Sequence, residues 1–177
     1  MRLLPSLFLA LPLMASSIGE LVKLYKEKNY YEVCHRGFKM FNTIKSDEDL
    51  LSMYAFACLY VDKIDRLSIP ILLLGKSERG RHNRAYFSLI IAQKNILVSS
   101  VFDGKEYKNL SVPNTDYILS RVFNLYFQKK FTQTDNAYIM QDKYGKYKMF
   151  TKYDGDKRWL YIEETRPDGK KYLHKYR

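Results

Sequence analysis

The amino-acid sequence predicts an α+β protein: an N-terminal stack of helical hairpins followed by a small C-terminal antiparallel β-meander. Three observations carry that expectation. Ser46 to Gly75 is the longest helix-patterned apolar run after the N-terminus. Near residue 136 the hydrophobic period shortens from three or four residues to two. The period-two runs are then spaced by short connections that each contain Gly.

Met1 to Ser17 reads as a signal peptide. Arg2 supplies the positive charge, and Leu3 to Met14 an apolar core interrupted by Pro5 and Pro12. Ala15-Ser16-Ser17 supplies small residues for cleavage. The run is too short for a comfortable membrane span; an uncleaved anchor or a buried N-terminal helix is the competing reading. No Cys lies beside the cut, which argues against a lipid anchor. Removing 17 of the 177 residues leaves 160, the size of one domain, and loss of Arg2 lowers the formal net charge from +11 to +10. With 15% aromatic residues, disorder is excluded as a main theme. No later segment is expected to span a membrane. The expected location is exported, periplasmic in a two-membrane bacterium. Residues 18–131 are expected to form the helical stack and residues 136–177 a sheet of about four strands.

Glu20 to Phe41 patterns as two short helices with a tight turn at Lys28-Asn29. Leu21, Leu24 and Tyr25 form one stripe; Tyr30, Val33, Cys34, Phe38 and Phe41 form the other. The next helix opens at Ser46-Asp47-Glu48-Asp49, a capping-box pattern. Leu50, Leu51, Tyr54, Ala55, Cys58, Leu59 and Val61 then follow the helical period, and Met53, Phe56, Ala57 and Tyr60 fill the other faces. A helix apolar nearly all round is central. Polar Asp62 to Arg66 ends it, Pro70 suits the first turn of a short helix from Ile69 to Leu74, and Gly75 is its stop.

The two cysteines, Cys34 and Cys58, sit at similar distances from a hairpin turn near Thr43 to Ser46, so they would face each other. In an exported chain that pairing invites a disulfide, worth about 3 kcal/mol. The alternative is two buried free thiols. Leu24-Tyr25-Lys26-Glu27-Lys28-Asn29-Tyr30-Tyr31-Glu32-Val33 resembles the middle of a tetratricopeptide repeat. In that family a small residue and an aromatic mark the turn, and a small apolar residue opens the second helix. Here Lys28 or Asn29 stands in place of the family's Gly, and Val33 in place of its Ala. The resemblance covers one repeat, within about residues 20–75. It implies a helical hairpin stack and, by analogy, protein binding.

Lys76, Arg79, Arg81 and Arg84 stand against Glu78 at the start of a helix that runs to about Phe102 and ends at Asp103-Gly104. This segment is a candidate contact for an anion or acidic partner; the plainer reading is a solvated helix start. Lys105 to Asn114 is a loop. Thr115 or Asp116 caps a helix from Tyr117 to Lys130 that closes the bundle or offers an aromatic groove.

Four strand-like runs follow: Ala137 to Asp142, Tyr147 to Tyr153, Arg158 to Glu164 and Lys170 to Arg177. Alternation puts Trp159, Tyr161 and Glu163 on one face and Leu160 and Ile162 on the other. In the last run Tyr172, His174 and Tyr176 oppose Lys171, Leu173 and Lys175. One face must cover the helices. The other is left exposed, with Trp159, Tyr161, Tyr172 and Tyr176 as candidate contact residues. From Asp135 onward there are 11 Lys and Arg against 7 Asp and Glu, a surplus of +4.

No hydrolase, metalloprotease, P-loop, dinucleotide or kinase motif occurs. The three histidines, His35, His82 and His174, lie in separate segments, and Cys34-His35 lacks any zinc spacing. Neither cofactor nor metal is expected. Interleaved lysines and tyrosines on a sheet also suit single-stranded nucleic acid, but export puts that partner out of reach. The expected function is a non-catalytic exported interaction or scaffold module whose partner is another envelope protein with an acidic surface. The rival is a binder of an anionic envelope polymer, such as cell-wall glycan, through Trp159, Tyr161 and Tyr172. A third reading, an enzyme of unrecognised type, would be revived by a deep pocket lined by His or paired acids.

Overall fold

A computed structural model describes residues 10–108 and 110–177. Its helices are α1 (Ala10–Lys26), α2 (Tyr30–Lys39), α3 (Phe41–Ile44), α4 (Glu48–Tyr60), α5 (Ser68–Leu73), α6 (Glu78–Asp103) and α7 (Ile118–Phe127), with a 3-10 turn (Ile64–Leu67) before α5. The strands β1 (Thr132–Thr134), β2 (Ala137–Asp142), β3 (Gly145–Asp154), β4 (Lys157–Thr165) and β5 (Lys171–Tyr176) form one antiparallel meander in chain order. This is the α+β architecture that the hydrophobic periods predict. The sheet has five strands rather than four. β1 is short, polar and exposed throughout, so it carries no alternation to read; it is held by pairing across a tight turn, Thr134 opposite Ala137. Residues 1–9 of the expected signal peptide lie outside the described residues, and α1 runs through the expected cleavage point.

The turn between α1 and α2 places Lys28 in the left-handed region, φ 60°. Asn29 caps α2 by accepting the Glu32 N–H. α2 packs on α4 at a close approach: a Cβ on Gly37 would lie 2.5 Å from Cδ2 of buried Tyr54. The Cys34–Cys58 disulfide joins the same two helices, with the Cα atoms 4.8 Å apart.

The cap of α4 is Asp47, one residue later than the capping-box pattern predicts. Its Oδ1 accepts the Asp49 and Leu50 N–H groups at 2.9 and 3.0 Å. Glu48, the first residue of α4, turns to the start of α6. Its carboxylate accepts from the backbone N–H of Gly75, Lys76 and Ser77. Four hydrogen bonds, led by the one from the Ser77 hydroxyl, hold its pKa down to about 2. Gly80 leaves room for it, since a Cβ there would sit 2.6 Å from the carboxylate oxygens.

By length and composition alone α6 could cross a membrane, a test that the core helix of a folded domain also passes. Its apolar residues alternate with buried polar ones: Phe87, Ile90 and Leu97 are buried, and so are Gln93 and Lys94. At its other end Gly104 takes the left-handed cap, φ 66°.

One apolar cluster joins the layers. Leu51, Leu59, Phe87 and Val122 from the helices belong to it together with Met149, Leu160 and Ile162 from the sheet. The register sorts the sheet into two faces, because side chains alternate along each strand. Tyr147, Met149, Leu160, Ile162 and Glu164 turn to the helices and are buried. Lys146, Lys148, Phe150, Trp159, Tyr161 and Glu163 turn outward.

Candidate functional site

The outer face of the sheet is a cationic surface built on aromatic rings. Phe150 on β3 stands opposite Tyr161 on β4, and the rings stack with centroids 5.4 Å apart. Lys152 stands opposite Trp159, and Lys175 on β5 opposite Tyr161. The Lys175 ammonium lies 4.1 Å from the Trp159 ring centroid, and the Arg177 guanidinium 5.1 Å from it. Lys148 lies 5.3 Å from the Phe150 centroid. Ring faces attract cations, so these charges are held in place yet presented outward. The face carries two acids, Glu163, 4.0 Å from Lys148, and Asp154. At the rim, Asp154 bonds Lys175 at 2.6 Å; that bond lowers the carboxyl pKa and raises the ammonium pKa.

Of the contact residues predicted from sequence, Trp159 and Tyr161 lie on this face. Tyr172 and Tyr176 do not. Both turn to the helix side, in register with Glu164 and Leu160. Tyr172 is partly exposed beneath the Arg166 guanidinium, 4.1 Å away. Tyr176 is 2% exposed and is corrected from surface to core: its hydroxyl donates to Asp62 at 2.9 Å, a bond available only inside.

Lys76, Arg79, Arg81 and Arg84 are exposed on α6 and the turn before it. Arg79 pairs with Asp49 at 3.0 Å, and Arg81 donates to the Lys76 carbonyl at 3.1 Å. A shallow cavity of about 740 Å³ brings Arg79 and His82 together with Asp47, Glu48, Asp49 and Glu78. Of the four cations, Arg79 alone forms an ion pair among the described residues.

The sequence reading missed a polar network between the layers. Asp62, in the left-handed region with φ 57°, ends α4 and aims its carboxylate at the sheet. Oδ1 accepts from the Tyr117 and Tyr176 hydroxyls at 2.5 and 2.9 Å, and Oδ2 lies 2.9 Å from His174 Nδ1. His174 Nε2 lies 3.7 Å from Glu164, which is 1% exposed and bonds Arg166 at 3.0 Å. Burial first, then neighbouring Asp62 and Tyr117, pushes the two tyrosine pKa values well above 10. In the sequence Asp62 reads only as part of a polar helix end and Glu164 as the end of a strand; the structure places both inside, between the layers. The available signal was alternation, which sets Glu164 in step with buried Leu160 and Ile162.

Beside the network lies a cleft of about 530 Å³ lined in part by its Asp62, Glu164 and His174, with His82, Asp116, Arg121 and Arg166 also on its walls, so histidines and acids do share a pocket here. No Ser, Thr or Cys is among its lining residues, and His174 Nε2 is buried without a hydrogen-bond partner. Among the described residues no cluster of His, Cys, Asp and Glu is arranged to hold a metal.

No protein-family model, no curated protein and no solved structure matches this chain.

Proposed function

We propose that this chain is a non-catalytic, exported interaction module whose contact surface is the outer face of the C-terminal sheet. One observation carries the reading: the helices cover only the inner face, and the outer face left to solvent holds Lys146, Lys148, Lys152, Lys171 and Lys175 around Phe150, Trp159 and Tyr161, with Glu163 and Asp154 as its acids. Rings desolvate well at an interface core, and charges of one sign select a partner of the other. The intramolecular disulfide fits an oxidising compartment, the periplasm in a two-membrane bacterium. The partner in this reading is an envelope protein with an acidic surface, and the helical hairpins, tetratricopeptide-like in the α1–α2 segment, are the rigid support.

The row of Phe150, Tyr161 and Trp159 favours a second reading, an anionic glycan lying across the rings. Salt separates the two. Exposed charge contacts are screened within about 8–10 Å at physiological ionic strength, whereas a packed protein interface persists. Affinity purification of the tagged protein from its envelope fraction, washed at low and then high salt, is the test. A stoichiometric protein surviving the high-salt wash supports the first reading; glycan alone, lost at high salt, replaces it with the second. The acid–His–acid line of the inner network is the feature that favours catalysis. In this proposal it is a fastening, because Asp62 is engaged by two tyrosine hydroxyls and His174, whose other nitrogen is buried.

A further inference from the structure

β5 is last in the sheet order, so among the described residues its far edge has no strand partner. Along such an edge every second residue turns its N–H and C=O away from the sheet. A cavity of about 540 Å³ lies at the C-terminal half of this strand. Its walls include Leu173 and Lys175, which point to the outer face, and Tyr176, which points inward. A cavity that touches both faces of one strand lies against the strand's edge. The facing wall is the turn formed by residues 61–66. Lys94, 6% exposed, ties the two walls together: its ammonium donates to Asp65 and to the Arg177 carbonyl, both at 2.7 Å.

The groove is positively charged. Lys63, Arg66, Lys94, Lys175 and Arg177 line it against Asp62 and Asp65. Both acids are already engaged, Asp62 by His174 and two tyrosines and Asp65 by Lys94. Lys63 and, further along the edge, Lys171 are exposed and form no ion pair among the described residues.

We propose that this groove receives an extended acidic segment of the partner protein, which adds to β5 as one more strand. The proposal rests on the interaction-module reading and specifies its geometry. Backbone pairing along β5 supplies affinity, as in other strand-addition complexes. Carboxylates on the outer face of the added strand meet Lys171 and compete with Asp154 for Lys175, and its end enters the cavity between Lys63 and Arg177. The same lysines oppose pairing of β5 with a second β5, since like charges would stand side by side. An acidic strand is the one that they admit.

The chain has one tryptophan, Trp159, and it lines this cavity, so its fluorescence reports on the groove. The full chain is titrated with a roughly eight-residue peptide alternating Glu and Val, and with the same peptide N-methylated at every second residue, in either register. Expected are a saturable change in fluorescence with the plain peptide and affinity at least about tenfold weaker for one methylated register, which keeps the charge and loses the outward N–H donors. Lys63→Glu, at an exposed position, is expected to weaken the plain peptide similarly. Equal affinity for plain peptide and both methylated registers would overturn strand addition in favour of unspecific charge attraction. Absence of any peptide binding would overturn it as well. Recovery of a salt-stable envelope partner alongside either result would sink the groove while leaving the interaction module standing.

Discussion

On the inner face of the sheet, Glu164, His174 and Tyr176 reach named partners in the helical layer or beside it. On the outer face, Lys146, Lys152 and Lys171 stand without an ion pair among the described residues. The two faces are made by the same strands and differ by one residue of register. The physical rule behind the difference is desolvation. A polar group taken out of water must find a partner or destabilise the fold, whereas an exposed lysine keeps its hydration and stays available. The inner face thus consumes its polar chemistry in holding the molecule together, and the outer face leaves its own free for something else.

The sharpest way to break that comparison is to remove one charge on which the inner face depends and one from the outer face. Asp62→Ala strips the acceptor from Tyr117, Tyr176 and His174 at once. We expect a loss of about 3 kcal/mol in urea unfolding, because three inward donors lose their partner. Lys152→Ala should change stability by less than about 0.5 kcal/mol, yet weaken binding to the acidic partner. Equal stability losses from the two substitutions would show that the faces are not divided in this way.

How far the sequence revealed this division depends on which signal each element carries. β2 to β5 were legible from alternation and Gly-containing turns, and α4 from its all-round apolar pattern. The pairing of Cys34 with Cys58 was legible from hairpin symmetry and bears out the disulfide rather than the free thiols. β1 was not, because three exposed polar residues carry no period. The inner network was illegible for another reason. Asp62 and His174 are 112 residues apart, and only packing of the sheet onto the helices makes them neighbours. Tyr176 was assigned to the wrong face because an aromatic next to lysines reads alike on either side of a strand; the register, which sets it against Leu160, decides it.

The disulfide sharpens the comparison by perturbing neither face. It closes a loop of 24 residues within the helical layer, and its removal by Cys34→Ser with Cys58→Ser should cost about 3 kcal/mol. Binding by the outer face should be retained at temperatures where the variant stays folded. Parallel loss of binding in the folded variant would mean that the helical layer is itself part of the contact surface. A smaller effect is expected at Gly37, where α2 meets Tyr54. Ala favours a helix interior by about 1 kcal/mol over Gly, but the added Cβ must displace a buried ring, which costs about 1–3 kcal/mol. The balance should be a net loss of about 1 kcal/mol in Gly37→Ala, read by urea unfolding. A gain would show that the Tyr54 ring can move aside without strain.

Glu48 is a third case, a charge partly exposed to water and nonetheless fully partnered, and it tests whether burial or partnering sets the fate of a charge. Its donors, the Ser77 hydroxyl and the N–H groups at the start of α6, are bonded to the ionised form and lower its pKa from 4.5 to about 2. A depressed carboxyl pKa contributes stability that is complete above the ordinary value of 4.5. That contribution falls away as the pH drops from 4.5 toward 2, where the carboxylate takes up its proton in the folded state too. Glu48→Gln keeps the shape and removes the charge, so thermal unfolding should give a lower Tm than the parent at neutral pH. The gap should be constant above about pH 5 and narrow steadily below it. The same scan on Lys152→Ala should show no such convergence, because that lysine has no ion pair to lose. If the Glu48→Gln gap stays open down to pH 2, the carboxylate is not held by its donors in solution. The α4–α6 junction would then owe its geometry to the packing of Gly80 against that side chain instead.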